Sequence, residues 1–234
     1  VDGGTVDASS NSFTVRNTGK IEIRNGGSLT AYDGSIRNEV LVTGEGSMLT
    51  FGGNVYGESP SGENGAPVYG TASIVVDNGA AARFTGLVIG GNGSGRANRR
   101  GTLEVVNADV TADTITLSAA NEGEEARSSI HMENGRLTVG TLVNNGTFAM
   151  DYNSTLTFGS FTNAGTFSIS LDGYCGGEKK LLLDYTGSET LTGEYYSKLL
   201  GSSWNDACFT VENNDLYLNY DSAVVVYVNS TYSE

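Results

Sequence analysis

The run Gly146-Thr-Phe-Ala-Met-Asp-Tyr-Asn-Ser-Thr-Leu-Thr-Phe-Gly-Ser-Phe-Thr-Asn-Ala-Gly-Thr-Phe-Ser-Ile169 decides the fold. It opens on Gly146-Thr-Phe-Ala-Met150 and closes on a near copy, Gly165-Thr-Phe-Ser-Ile169. The asparagines before the two phrases, Asn145 and Asn163, stand 18 positions apart. Between the phrases lie two more short alternating runs, Ser154-Thr-Leu-Thr-Phe158 and Ser160-Phe-Thr162. Alternation of apolar and polar residues sends successive side chains to opposite faces, as in a strand with one buried side. Three short strands and a bend therefore repeat as one unit.

The same grammar extends toward the N-terminus. Units begin at Ile21-Glu-Ile-Arg-Asn-Gly-Gly-Ser-Leu29, Val40-Leu-Val-Thr-Gly-Glu-Gly-Ser-Met48, Ile74-Val-Val-Asp-Asn-Gly-Ala-Ala-Ala82, Leu103-Glu-Val-Val-Asn-Ala-Asp-Val110 and Ile130-His-Met-Glu-Asn-Gly-Arg-Leu137. Each has a strand, a bend where glycine or asparagine takes positive φ, and a second strand. A third strand often follows, as at Asn54-Val-Tyr56, Leu87-Val-Ile89 and Thr114-Ile-Thr-Leu117. The bend residues Asn25, Glu45, Asn78, Asn107 and Asn134 are spaced unevenly, which implies a fixed coil carrying insertions. The insertions are Gly57–Gly70, Gly90–Gly101 and Ala119–Ser128, all after a third strand. Loops that leave successive coils at one corner gather on one flank.

These observations predict an all-β chain: a three-sided parallel β-helix over residues 1–172. An antiparallel sandwich, the competing reading of Asn-Gly bends, requires longer strands at a regular 8–12-residue spacing. The alternation assigns an inward column of Ile21, Ile23, Leu29, Ala31, Val40, Val42, Leu49, Phe51, Ile74, Val76, Phe84, Leu103, Val105, Ile115 and Leu117. It continues through Ile130, Met132, Leu137, Val139, Leu142, Phe148, Met150, Leu156, Phe158, Phe161, Phe167 and Ile169. Glu22, Arg24, Thr30, Asp77, Arg83, Glu104, Thr138 and Thr157 face outward on the same grounds.

The grammar stops near Leu171. Residues 173–234, with Leu181-Leu-Leu183, Tyr195-Tyr196, Trp204 and Asp215-Leu-Tyr-Leu218, are read as a C-terminal cap of antiparallel strands with one short helical turn at Glu194–Leu200. A solenoid end left uncovered exposes unpaired backbone, so a cap is expected there. A disulfide between Cys175 and Cys208 is expected to pin it; two independent buried thiols are the other reading.

Composition narrows the function. Of 234 residues 33 are glycine and two proline, and 27 acidic residues against 13 basic give a net charge of −14. Such a chain is ill suited to nucleic acid phosphates. Its longest apolar run, Ala223 to Val228, is far short of the ~20 residues of a membrane helix. The absence of a charged-then-apolar leader is read as a mature or excised segment, and the Cys-poor, Asn- and Thr-rich acidic composition suits a secreted protein.

The runs Asn144-Asn-Gly-Thr-Phe148, Ser154-Thr-Leu-Thr-Phe158, Asn163-Ala-Gly-Thr-Phe167 and Asn214-Asp-Leu-Tyr-Leu218 resemble those in passenger regions of bacterial autotransporters and related surface β-helix adhesins. The resemblance is one of repeat style over residues 11–220. It implies a secreted or cell-surface bacterial protein with a right-handed parallel β-helix, here an excised passenger piece, and specifies no ligand.

Chemistry is sparse in the sequence. The only histidine, His131, alternates outward between Ile130 and Met132 and reads as an exposed strand residue. Glu122, Glu124 and Glu125 in one loop, with Asp109 and Asp113 nearby, are the candidates for paired carboxylates of a glycoside hydrolase. A solvated acidic loop is the plainer reading. Arg96, Arg99 and Arg100 form the only basic cluster. They are expected either to pair with Glu122, Glu124 and Glu125 from the next coil or to form an anion-binding patch. The Gly90–Gly95 stretch lacks the aspartates of a calcium repeat, and no cofactor is expected. The resulting expectation is an adhesive or structural module that binds a cell-surface or matrix glycan or protein, or itself, through its loops. The competing expectation is a polysaccharide lyase or glycoside hydrolase.

Overall fold

The computed structural model describes residues 1–15, 19–57, 72–90, 100–119, 128–174, 179–204 and 208–219. Nineteen strands occur in them. The first nine are β1 (Thr5–Ala8), β2 (Phe13–Val15), β3 (Lys20–Ile23), β4 (Ser28–Ala31), β5 (Gly34–Ile36), β6 (Glu39–Thr43), β7 (Met48–Gly57), β8 (Ala72–Asp77) and β9 (Ala81–Ile89). Next come β10 (Gly101–Val106), β11 (Asp109–Leu117), β12 (Ser128–Glu133), β13 (Arg136–Asn144), β14 (Thr147–Asp151), β15 (Thr155–Asn163) and β16 (Thr166–Ser170). The cap holds β17 (Lys180–Tyr185), helix α1 (Gly193–Leu200), β18 (Phe209–Glu212) and β19 (Asp215–Leu218).

The strands alternate between two sheets. One runs β16-β14-β12-β10-β8-β6-β3; the other runs β1-β4-β7-β9-β11-β13-β15-β17-β19-β18, with β2 and β5 beside it. Pairing is parallel throughout the repeats, so the chain forms a solenoid-like stack of coils. In the first sheet Ile21, Val40, Ile74, Leu103, Ile130, Phe148 and Phe167 stand in register, as do Ile23, Val42, Val76, Val105, Met132, Met150 and Ile169. Along the first column the coils advance by 19, 34, 29, 27, 18 and 19 residues.

From β7 to β15 the second and third strands of a unit, expected as separate pieces, are continuous, whereas β1 and β2, and β4 and β5, remain separate. Strands β9, β11, β13 and β15 are nine residues each. Their burial slips by one position in the middle: in β11, Val110 and Ala112 are buried, then Ile115 and Leu117, with Asp113 and Thr114 both exposed between them. A one-residue slip in a period-two pattern turns the next side chains onto a second face without breaking the ladder.

Burial follows the alternation. Every residue of the expected inward column is buried except Ile21, which is half-buried on β3, the outermost strand of its sheet. None of the expected outward residues is buried. The core also takes Val15, Ile36, Val55, Leu87 and Ile89 from the third strands, and the rings of Phe51 and Phe84 stack in adjacent coils with centroids 6.1 Å apart.

Asn25, Asn78, Asn107 and Asn134 hold positive φ between 48° and 54°, as the bends require. In the second unit Gly44 and Gly46 take that conformation instead of Glu45, because a glycine on each side removes the need for a strained glutamate. Amides link bends across coils: Asn134 Nδ2 donates to Asn107 Oδ1 at 2.6 Å.

The tail departs from a wholly antiparallel cap. Strand β17 continues the solenoid, parallel to β15, with Leu156 beside Leu183 and Phe158 beside Tyr185. Antiparallel pairing begins only between β17 and β19 and between β18 and β19. Helix α1 forms where Tyr196, Leu199 and Leu200 fall on one buried face, the i, i+3, i+4 spacing of a helix, and it ends at Gly201 with φ 52°. It packs against β16. Cys208 is buried, a free cysteine whose pKa is pushed up by that burial. Cys175, the other half of the expected bridge, lies outside the described residues, as do residues 220–234. No helix among the described residues is long and apolar enough to cross a membrane.

Candidate functional site

All three insertions leave the stack at one corner, between the end of a long strand and the start of the next short one. Their exits, Gly57, Ile89 and Leu117, are in register, and so are their returns, Ala72, Gly101 and Ser128. Neighbouring exits are thus separated by one strand spacing, about 4.8 Å.

Backbone hydrogen bonds continue across the corner. Gly90 N donates to Gly57 O at 2.9 Å, Ser118 N to Ile89 O at 3.0 Å, and Asn145 N to Leu117 O at 3.1 Å. Ser128 Oγ donates to Ser118 O at 2.6 Å and closes the base of the third loop. Small residues make this possible. A Cβ at Gly101 would lie 2.1 Å from Gly57 O and 2.8 Å from Gly90 N. The loops therefore spring from fixed points.

Of the expected binding residues, Arg100 is described. It is exposed beside Gly101, and its carbonyl accepts from Ala72 N at 3.1 Å. Arg96, Arg99, Glu122, Glu124 and Glu125 lie outside the described residues. His131 is exposed on β12, in register with Glu104. Asp109 and Asp113 are exposed on β11, with Asp109 in register with Arg136. Among the described residues no three His, Cys, Asp or Glu side chains converge as a metal site would require.

A second concave feature escaped the sequence reading. A cleft of about 380 Å³ lies where the second half of β15 meets the cap, lined by Gly159, Ser160, Phe161, Tyr185, Glu189 and Tyr195, among others. Its two tyrosines are pinned. Tyr195 Oη donates to Phe161 O at 3.2 Å, and Tyr185 Oη accepts from Glu189 N at 3.0 Å. Burial, with smaller contributions from Tyr185 and Glu189, pushes the Tyr195 phenol up to about 12. The Tyr195-Tyr196 pair signals aromatic content in the sequence, but nothing local places Tyr185 and Glu189 opposite Ser160. That juxtaposition depends on β17 pairing with β15.

Comparison of the chain with family models, with curated proteins and with solved structures finds no match in any of the three.

Proposed function

We propose that the protein is a secreted or cell-surface adhesive module, a right-handed three-sided β-helix that presents the loops of one corner to a surface partner. The observation that carries this reading is the stacking of three loop bases at one corner on hydrogen-bonded backbone. Binding residues concentrate on loops held by a rigid scaffold. Insertions of varied length at one corner, beside coils of 18 and 19 residues that carry none, fit a wall kept constant while its loops diversify. The right hand follows the strong preference of parallel crossovers. A three-sided coil is supported by the one-residue slip in burial within β9, β11, β13 and β15. The partner is a cell-surface or matrix glycan or protein, or a second copy of the chain, and the resemblance to autotransporter passengers supports that setting.

The test is a variant with the three insertions cut back to the coil length seen between Ile130 and Phe148. It is expected to fold, and to lose binding to immobilised fibronectin, laminin, collagen or arrayed glycans that the intact chain retains. Retained binding by the shortened variant overturns the reading. So does release of reducing or unsaturated sugars from acidic polysaccharide that stops with Glu122→Gln or Glu125→Gln.

A further inference from the structure

The cleft between β15 and the cap is a built site with its own chemistry, separate from the loop corner. Its floor is apolar, from Phe161 and Leu191, both buried. Its walls are the half-buried rings of Tyr185 and Tyr195. The Tyr195 ring meets Tyr196 edge-on at 5.2 Å, and the Tyr185 ring sits 5.5 Å from Phe158. With ring and hydroxyl both anchored, neither side chain loses much freedom on meeting a ligand. The chain is pressed close around them: a Cβ at Gly187 would fall 2.3 Å from Tyr185 Oη and 2.4 Å from Gly159 O.

The polar groups at the mouth are the hydroxyls of Ser160, Thr162 and Ser188 and the carboxylate of Glu189, all exposed. Each hydroxyl both donates and accepts, and the carboxylate accepts. Among the described residues of the lining, Glu189 is the only charged side chain.

The cleft also terminates a row. Thr114, Thr141 and Ser160 stand in register on the outer face of the second sheet, one hydroxyl per coil, all exposed. Their spacing, about 4.8 Å, is comparable to one pyranose ring. Its last member, Ser160, lines the cleft together with Tyr185 and Tyr195.

From these features we infer that the cleft binds a neutral, linear oligosaccharide, one sugar ring packed on the tyrosine faces and the chain running along the Thr114–Thr141–Ser160 row. A pyranose presents C–H patches to aromatic rings and hydroxyls around its rim, which matches a site of rings, hydroxyls and one acceptor carboxylate. A volume of about 380 Å³ falls within the ~300–1,000 Å³ range of small-molecule sites. A polyuronate is disfavoured, since the described residues of the lining bring a carboxylate and no cation, on a chain of net charge −14. Retaining and inverting hydrolysis use two carboxylates across the scissile bond, and the described residues of the lining supply one. What the described lining supplies is binding, not the pair of carboxylates that cutting requires.

Isothermal titration of the intact chain with cellopentaose, maltopentaose, xylopentaose, mannopentaose and pentagalacturonate tests the inference. At least one neutral pentasaccharide is expected to bind with micromolar to millimolar affinity, more tightly than its disaccharide. Tyr195→Phe should leave affinity within about twofold, and Tyr195→Ala should lower it at least tenfold. Ser188→Trp, at an exposed bend where folding is not at stake, should block the mouth with a similar loss. The loop-shortened variant should bind as the parent does, which separates this site from the loop corner. The inference is overturned if no neutral pentasaccharide binds at millimolar concentration. It is equally overturned if pentagalacturonate binds as well as the neutral sugars, or if Ser188→Trp leaves affinity unchanged.

Discussion

Single side chains carry more than alternation implies. The buried column that runs Ile89, Leu117 in the third strands continues to Asn144 and Asn163. Asn144 is fully buried and fully used: Nδ2 donates to Asn163 Oδ1 at 2.8 Å and to Thr166 O at 2.9 Å, and Oδ1 accepts from Gly146 N at 3.0 Å. Asn163 Nδ2 in turn donates to Leu199 O at 3.2 Å, joining the last coil to α1. Asn144→Ala should cost about 2–3 kcal/mol in chemical denaturation, because it strands buried backbone groups. Gly101→Val should cost at least ~2 kcal/mol, since its Cβ meets the Gly57 carbonyl. Tyr195 and Tyr196 should ionise late in an alkaline titration followed by phenolate absorbance, both held neutral chiefly by burial. A phenol raised from about 10 to about 12 gives its full stabilisation below pH ~10. That stabilisation is lost as the pH rises toward 12. The urea midpoint should therefore be unaffected by these groups below pH 10 and fall above it.

Within the elements, period two makes a sharp paired test. Val105 is fully buried on β10 and Glu104 beside it is not. Val105→Asp buries an unpaired charge and should cost more than ~4 kcal/mol, while Glu104→Asp should fall within ~0.5 kcal/mol in the same denaturation experiment. Strands and register were legible because each coil states its inward residues twice over and its neighbours repeat them. The merging of second and third strands was not: it depends on the ladder surviving the slip at Asp113-Thr114, and both residues look like ordinary outward positions. The parallel placement of β17 was hidden for a related reason. Leu182 and Leu183 are both buried and the pairing to β19 shifts between Leu181 and Leu183, so the run does not alternate. The loop corner could be located by spacing alone. The cleft could not, because its walls come from residues about 25–35 positions apart that only the β15–β17 pairing unites.

Across the whole molecule, stability passes from coil to coil, since each coil touches mainly its neighbours. The C-terminal end is closed by α1 and by the β17–β19–β18 set, with Tyr196 Oη donating to Asn214 O beneath them. A 1–172 fragment removes this cover and bares the Phe161 and Phe167 rings, now 5.3 Å apart inside the aromatic cluster. It should aggregate at concentrations where the intact chain stays monodisperse by light scattering; a well-behaved 1–172 monomer would show that the tail is not needed as a cover.

Parallel coils have a mechanical consequence. Their interstrand hydrogen bonds point along the stack, so tension drawn between its ends peels one coil before the next is loaded. Force spectroscopy should record a staircase of length increments: about 65 Å for a coil of 19 residues and about 115 Å for the coil of 34 that spans the first insertion. The insertions thus set the length of each step, and their order along the chain should be readable from the order of long and short steps.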